Sequence, residues 1–195
     1  MSEPSAAWSA FRGRALAIHR EDPTGHAERY HDTVVRYVEQ LASRAHEPAR
    51  DALLIAAMCQ HIRRASIPRD TYPRTTPGYK RWRSELGRMH AKTARELALE
   101  AGFEEEVATR AEEIILHKAL KRDADGMRLE DAVCLTFVAL ELTSFASGRS
   151  DEEVLSILRK TWNKMSEAGH ALALSELDGG SFDEASSSLL RRALT

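Results

Sequence analysis

Four histidines recur at nearly regular intervals along this chain of 195 residues: His31, His61, His90 and His117. Each lies in a stretch with the periodicity of an amphipathic helix. An acidic residue, Asp131, follows shortly after the last of them, at the start of a strongly apolar stretch. Imidazoles and a carboxylate are the ligands that Zn, Fe, Mn or Co binds in proteins. Antiparallel helices could bring such residues to one point, where they would bind a metal, but the intervals alone do not establish that site.

A shared metal site requires each of these residues to occupy the inward face of its helix. Three of the histidines, His31, His61 and His90, fall on the apolar stripe of their own helix, and His117 lies at its edge. A single histidine in such a position is more often a core residue bonded to a carbonyl. Several inward neutral imidazoles favour one shared metal, because each needs a partner when buried. Asp131 stays open between a ligand and a helix-capping residue that stabilises the helix dipole.

Periodicity places helices over most of the chain and predicts an all-α fold. They are expected at about residues 6–20, 26–44, 48–64, 77–101, 104–120, 129–146 and 150–169. The run at 129–146 is apolar nearly all round, which is typical of a central helix. One domain is predicted over residues 1–178, and a Gly/Ser-rich tail with room for a short terminal helix over residues 179–195.

Composition and charge narrow the class of protein. The net charge is −2, so nothing in the overall balance favours nucleic acid as a partner. Both cysteines, Cys59 and Cys134, lie in apolar helical runs, which favours reduced thiols. The chain has no apolar run long enough to cross a membrane and no signal-peptide core at its start, so we expect a cytoplasmic protein. Nothing in the sequence fixes the oligomeric state, and a homodimer is allowed.

The stretch from His61 to Lys92 is strongly basic. It contains nine Lys or Arg residues but only two acidic ones, Asp70 and Glu85, which gives a local net charge of +7. Because this stretch joins two of the candidate metal ligands, its arginines are expected to bind a small phosphorylated or carboxylated molecule there. The alternative is a solvated surface whose arginines pair with carboxylates. The candidate contacts to the anion are Arg63, Arg64, Arg69, Tyr79, Arg83, Lys118 and Lys121.

Several segments resemble the HD-domain superfamily of metal-dependent phosphohydrolases. HDTVVRYVEQLA resembles its first helix, and ALLIAAMCQHI the apolar helix that ends in a His-Asp pair. MHAKTARELALEAGFEEEVATRAEEIILHK is similar to its helix opening on His, glycine turn and helix ending in His. LEDAVCLTFVAL resembles the helix with the final aspartate, here Asp131. The resemblance implies an HD-like bundle of about seven to eight helices holding a divalent transition metal (Zn, Mn, Fe or Co).

Two further segments narrow the resemblance. QHIRRASIPRDTYPRTTPGYKRWR and LRKTWNKMSEAGHALAL look like an HD-like family of bacteria and fungi known only as a domain of unknown function. The chain departs from the HD pattern at its second motif, where Gln60-His61, or His61-Ile62 in the other register, stands in place of His-Asp. His31-Asp32 spells the dipeptide, but on a helix Asp32 is turned about 100° away from His31.

The resemblance and this departure leave three functions open. The first is a metal-dependent hydrolase of a small anionic metabolite, with no identifiable general base beyond a weak guess at Glu112 or Glu113. The second is an HD-type iron oxygenase, whose sites normally use the paired aspartate that this chain lacks. The third is a binding module that has kept the fold without the chemistry.

Overall fold

The structure is a computed structural model that describes residues 5–42, 47–116 and 122–195. Within these ranges the chain forms ten α-helices and no β-strand. The helices are α1 (Ala6–His19), α2 (His26–Leu41), α3 (Glu47–Cys59), α4 (Thr76–Glu100), α5 (Glu105–Ile115), α6 (Ala124–Thr136), α7 (Leu142–Ala146), α8 (Asp151–Trp162), α9 (Glu167–Asp178) and α10 (Glu184–Leu194). The all-α prediction is confirmed, but seven to eight helices is too low a count.

Local signals explain the additional helices. The run expected at residues 129–146 is divided by a π-helix, Phe137–Glu141, into α6 and α7. The helix expected at 150–169 ends at Trp162, and Ser166 then starts α9 by accepting a hydrogen bond from the Gly169 N–H at 3.2 Å. Asp183 starts α10 in the same way, because its carboxylate accepts from the Ser186 N–H.

The centre of the bundle is α3 rather than the run at 129–146. Every residue from Ala52 to Cys59 is at most 1% exposed. The helix contacts α1, α2, α4, α5 and α6, which together surround it. A helix that is apolar on all sides is stable only when it is covered in this way. The candidate functional residues lie around its carboxyl end.

The remaining helices cover the bundle on one side. In this outer layer α7, α8 and α10 contact one another and bury Val154, Leu158 and Leu190, while α9 lies against α2 and α6. The predicted capping box of Ser150 and Glu153 is present at the start of α8. In the part of the chain that the structure describes, no helix is long and apolar enough to span a membrane.

Hydrogen bonds hold the irregular stretch between α3 and α4 together and attach it to α4. The Trp82 indole N–H donates to the Ile67 carbonyl at 2.8 Å, and the Arg69 guanidinium donates to the carbonyls of Tyr72 and Pro73. Gly78 permits the close approach of this stretch, since a Cβ there would lie 2.2 Å from the Pro73 carbonyl oxygen. The part of the basic stretch His61–Lys92 that precedes α4, the basic segment, is therefore held beside α4.

Candidate functional site

Four histidine rings lie together at the carboxyl end of α3. His19 comes from α1, His31 from α2, His61 from the turn after α3, and His90 from α4. The rings of His19 and His31 are stacked with their centres 3.9 Å apart. The His61 ring lies between the others, 6.3 Å from His31 and 6.0 Å from His90. The structure thus brings three of the predicted ligands together and adds His19.

Backbone carbonyls fix the orientation of three of these rings. His31 Nδ1 lies 2.7 Å from the Ala27 carbonyl oxygen, and His90 Nδ1 lies 2.6 Å from that of Ile62. His19 Nε2 lies 2.8 Å from the Met58 carbonyl oxygen. Because a carbonyl only accepts, each of these nitrogens must carry the proton. In the neutral ring the opposite nitrogen then holds a lone pair.

The end of α3 explains why these carbonyls are available. The last four carbonyls of a helix have no partner within it, and Met58 lies in that final turn. His19 fills this role with its imidazole N–H, and His90 does the same for Ile62, three residues beyond the helix end. The hydrogen bonds at the end of α3 therefore orient His19 and His90, whereas the His31 ring is oriented by the Ala27 carbonyl of its own helix α2.

Two lone pairs of the cluster remain without a partner. The Nε2 atoms of His31 and His90 are fully buried and accept no hydrogen bond within the described part of the chain. Burial lowers the pKa of His31 well below its usual value, and the stacked His19 lowers it further. Burial likewise lowers the pKa of His90 to about 4. Both rings are neutral at pH 7, so each presents an unused basic nitrogen to the interior.

These nitrogens have the chemistry of metal ligands, but the rings are spread widely. A ring nitrogen about 2.1 Å from a metal places the ring centre about 3.2 Å away, so two rings on one ion have centres at most about 6.4 Å apart. The separations on either side of His61, 6.3 Å and 6.0 Å, are close to that maximum, which only two rings on opposite sides of an ion can reach. Among the described residues, no three His, Cys, Asp or Glu side chains are already arranged around a metal position. Binding would require the rings to turn towards one another.

The turn that carries His61 differs from the expected helix. We predicted a helix to about residue 64, with His61 on its inner face, but α3 ends at Cys59. Arg63 follows with a φ of 52°, the only non-glycine residue with a positive φ among those described. Such a conformation is unfavourable for a side chain with a Cβ and occurs more often at functional sites than elsewhere. It turns the chain sharply into the basic segment directly after His61.

A cavity of about 820 Å³ opens beside the histidines. Its wall includes the rings of His19, His31 and His61, and also Arg63, Arg64 and Arg69 from the basic segment. Within the described residues, none of these three arginines forms an ion pair with a carboxylate. The wall also carries the carboxylates of Glu21, Asp22 and Glu141, none of which lies within ion-pair distance of these arginines.

Aromatic rings hold two of these arginines. The Arg64 guanidinium carbon lies 5.1 Å from the Trp82 ring centre, and that of Arg69 lies 5.8 Å from it. Burial lowers the pKa of Arg64 from its usual 12.5, but the group stays charged near neutral pH. Tyr79 is 44% exposed, its ring lies 5.9 Å from that of Trp82, and its hydroxyl accepts a 3.5 Å hydrogen bond from Arg83. Neither Tyr79 nor Arg83 lines this cavity. His117, Lys118 and Lys121 lie outside the described residues.

Asp131 lies away from the cavity in a different interaction. Because α6 begins at Ala124, Asp131 is in its middle rather than its first turn. The carboxylate is 1% exposed and accepts hydrogen bonds from the N–H and the hydroxyl of Ser166, the residue that caps α9. A Cβ on Gly169 would lie 2.5 Å from one of its oxygens. Asp131 thus joins α6 to the positive end of α9.

Three residues of the cavity wall were missed from the sequence. His19 follows the buried positions Phe11 and Ala15 at the helical spacing of α1, and this periodicity would have revealed it. Tyr30 is 6% exposed and contacts both His31 and His61, but it adjoins His31 in sequence and resembles a core residue. Glu141 lines the cavity from the π-helix, an irregularity that no periodic pattern predicts.

We predict that Asp131→Ala lowers the free energy of unfolding by about 2–4 kcal/mol, because it removes two charge-assisted hydrogen bonds from a buried position. Urea unfolding measures this change, with Glu130→Ala as the control, since the partner of Glu130 among the described residues is Lys164, in a weak ion pair at 4.0 Å. The control should lose no more than about 1 kcal/mol. Unchanged stability of Asp131→Ala, together with loss of bound metal, would instead identify Asp131 as a ligand.

Comparison with known proteins identifies a family but supplies no activity. A family profile described as Domain of unknown function (DUF4202) matches residues 11–187, which begin within α1, include the histidine cluster and extend into α10. No curated protein and no solved structure matches the chain. The match covers most of the sequence, so this chain belongs to the family described as Domain of unknown function (DUF4202).

Proposed function

We propose that this chain is a metal-dependent hydrolase acting on a small phosphorylated or otherwise anionic metabolite. The observation that carries the proposal is the pair of buried, neutral imidazole nitrogens, His31 Nε2 and His90 Nε2, that have no partner. An unsatisfied buried polar atom costs about 1–3 kcal/mol, a cost that a ligand binding both would offset. A divalent transition metal accepts electron pairs from neutral imidazoles and is the simplest such ligand.

The proposed ligands are His31, His61 and His90, with Zn, Mn, Fe or Co as the ion. Nitrogen donors favour these ions over Mg²⁺, which prefers oxygen. The bond from each Nδ1 of His31 and His90 to a carbonyl is the arrangement that commonly orients metal-binding histidines. We also propose that the bundle is HD-like, since the four segments that resemble that superfamily begin in α2, α3, α4 and α6, in the same order as in its members. A bound ion would lower the pKa of a water molecule and polarise a phosphoryl oxygen.

The side chains of the cavity define what the chain itself contributes. Arg63, Arg64 and Arg69 line the same space as His31 and His61, so an anion held by the arginines would lie beside the proposed ion. Guanidinium groups bind phosphate oxygens through paired hydrogen bonds. Trp82 holds two of the arginines, which reduces the entropy that they lose when an anion binds.

We expect His31→Ala and His90→Ala each to weaken Zn²⁺ or Co²⁺ binding at least about 10–100-fold, since outer-shell changes alone have effects of that size. Metal per chain after dialysis, measured by elemental analysis, reports this. His170→Ala is the matched control: His170 is also stacked on an aromatic ring and bonded to a carbonyl, that of Trp162, but it lies outside the cluster. Wild-type metal content in both test variants, with circular dichroism showing intact helices, would contradict the proposed site.

Arg64→Ala is expected to weaken the binding of inorganic phosphate to the metal-loaded protein about 10-fold, because it removes a charged donor that has no other anionic partner. Titration calorimetry measures the affinity, and metal content should stay at the wild-type level. Arg88→Ala serves as the control, since Arg88 does not line the cavity and donates a hydrogen bond to the Ser84 hydroxyl of its own helix α4. Equal phosphate affinity in Arg64→Ala and the control would exclude Arg64 from the anion site.

A further inference from the structure

Glu141 places a carboxylate in the same cavity as the histidines and arginines. It is the last residue of the π-helix Phe137–Glu141, and its side chain is 36% exposed. Val138 within this turn is 5% exposed and Leu142 directly after it is fully buried, so packing in the core holds the backbone that carries Glu141. Single π-turns are rare within helices and are often found at functional sites, where the additional residue changes the direction of a side chain.

Only one of the two Glu141 oxygens is engaged within the described residues. Its Oε1 lies 3.3 Å from His26 Nε2, at the outer edge of the cavity where His26 is half exposed. The His26 ring lies 5.9 Å from that of Tyr30, which in turn contacts His31 and His61. The charge of Glu141 also acts on the pKa of Tyr30 and of Arg64. The carboxylate therefore lies near both the aromatic wall of the histidine cluster and the arginines.

The other carboxylates are poorly suited to accept a proton in this cavity. Asp22 lines it, but its oxygens accept hydrogen bonds from Thr24 and from the Ala27 N–H, which lower its pKa to about 2. Glu21 lies at the exposed rim. Glu112 and Glu113, the acids guessed from the sequence, form ion pairs with Arg95 and Arg110 instead. Neither of these two lines the cavity.

We propose that Glu141 is the general base of the hydrolase, an inference that rests on the proposed function. Glu141 accepts a proton from the attacking water as the water oxygen bonds to phosphorus and the bond from phosphorus to the ester oxygen breaks. The carboxyl group then returns this proton to the leaving alcohol oxygen, so the products are an alcohol and inorganic phosphate. Arg63 and Arg64 hold the phosphoryl oxygens during the transfer. A positioned base of this kind contributes about 10²–10⁴-fold to the rate.

The test compares metal-loaded wild-type protein with Glu141→Gln on a panel of phosphate monoesters that includes p-nitrophenyl phosphate. We expect kcat to fall at least about 100-fold, with metal content and thermal stability unchanged. Inorganic phosphate should bind to the variant at least about 3-fold more tightly, because a like charge has been removed from the cavity. Added formate should partly restore turnover to Glu141→Ala by replacing the missing carboxylate. Glu130→Gln, a carboxylate outside the cavity, should behave as the wild type.

The outcomes separate this role from the proposed function. An active wild-type protein with an equally active Glu141→Gln variant would overturn the role of Glu141 alone. Loss of metal from Glu141→Gln would also overturn it, because the residue would then be a ligand or a structural group. Unchanged or weaker phosphate binding would show that the carboxylate does not face the anion. A metal-loaded wild-type protein that hydrolyses no member of the panel would overturn the proposed hydrolase and this role together.

Discussion

The structure depends on how the carboxyl end of a fully buried helix satisfies its carbonyl groups. The helix α3 is surrounded by five others, so water cannot hydrate the carbonyls of its last turn. Imidazole N–H groups from α1 and α4 reach Met58 and Ile62 and take the place of water. Because an imidazole has two nitrogens, each such bond leaves a lone pair on the opposite side of the ring. These two bonds leave basic nitrogens on His19 and His90, and the bond from His31 to the Ala27 carbonyl within α2 leaves a third.

This constraint links stability to the proposed chemistry. A histidine used only to complete a carbonyl could expose its second nitrogen to solvent, as a surface residue does. In His31 and His90 that nitrogen is instead buried, and the pKa of each ring is lowered because burial penalises the charged form. Burial therefore keeps both imidazoles neutral, whereas the same groups in contact with solvent would have a higher pKa and would bind a proton more readily. Such an arrangement costs stability unless a ligand is bound, which is typical of binding sites.

Much of this arrangement could be predicted from the sequence, because helical periodicity is a strong signal. The stripes of α2 and α4 correctly placed His31 and His90 inside the bundle. The same reasoning failed where the backbone departs from a regular helix. Three such departures depend on tertiary packing and produce no periodic pattern: the early end of α3, the positive φ of Arg63, and the π-helix that ends at Glu141. Asp131 is a different case, since its partner Ser166 is 35 residues away and only the folded chain shows their contact.

The central claim is that His31 and His90 present unprotonated Nε2 atoms to a shared metal ion. Long-range ¹H–¹⁵N correlation spectra of ¹⁵N-histidine-labelled protein observe both ring nitrogens directly. In metal-free protein near pH 7 we expect both residues to be neutral, with the proton on Nδ1 and Nε2 unprotonated. Addition of one equivalent of Zn²⁺ should shift both Nε2 resonances while the control His170 stays unchanged. Protonated Nε2 atoms, or Nε2 resonances that do not respond to zinc, would contradict the account.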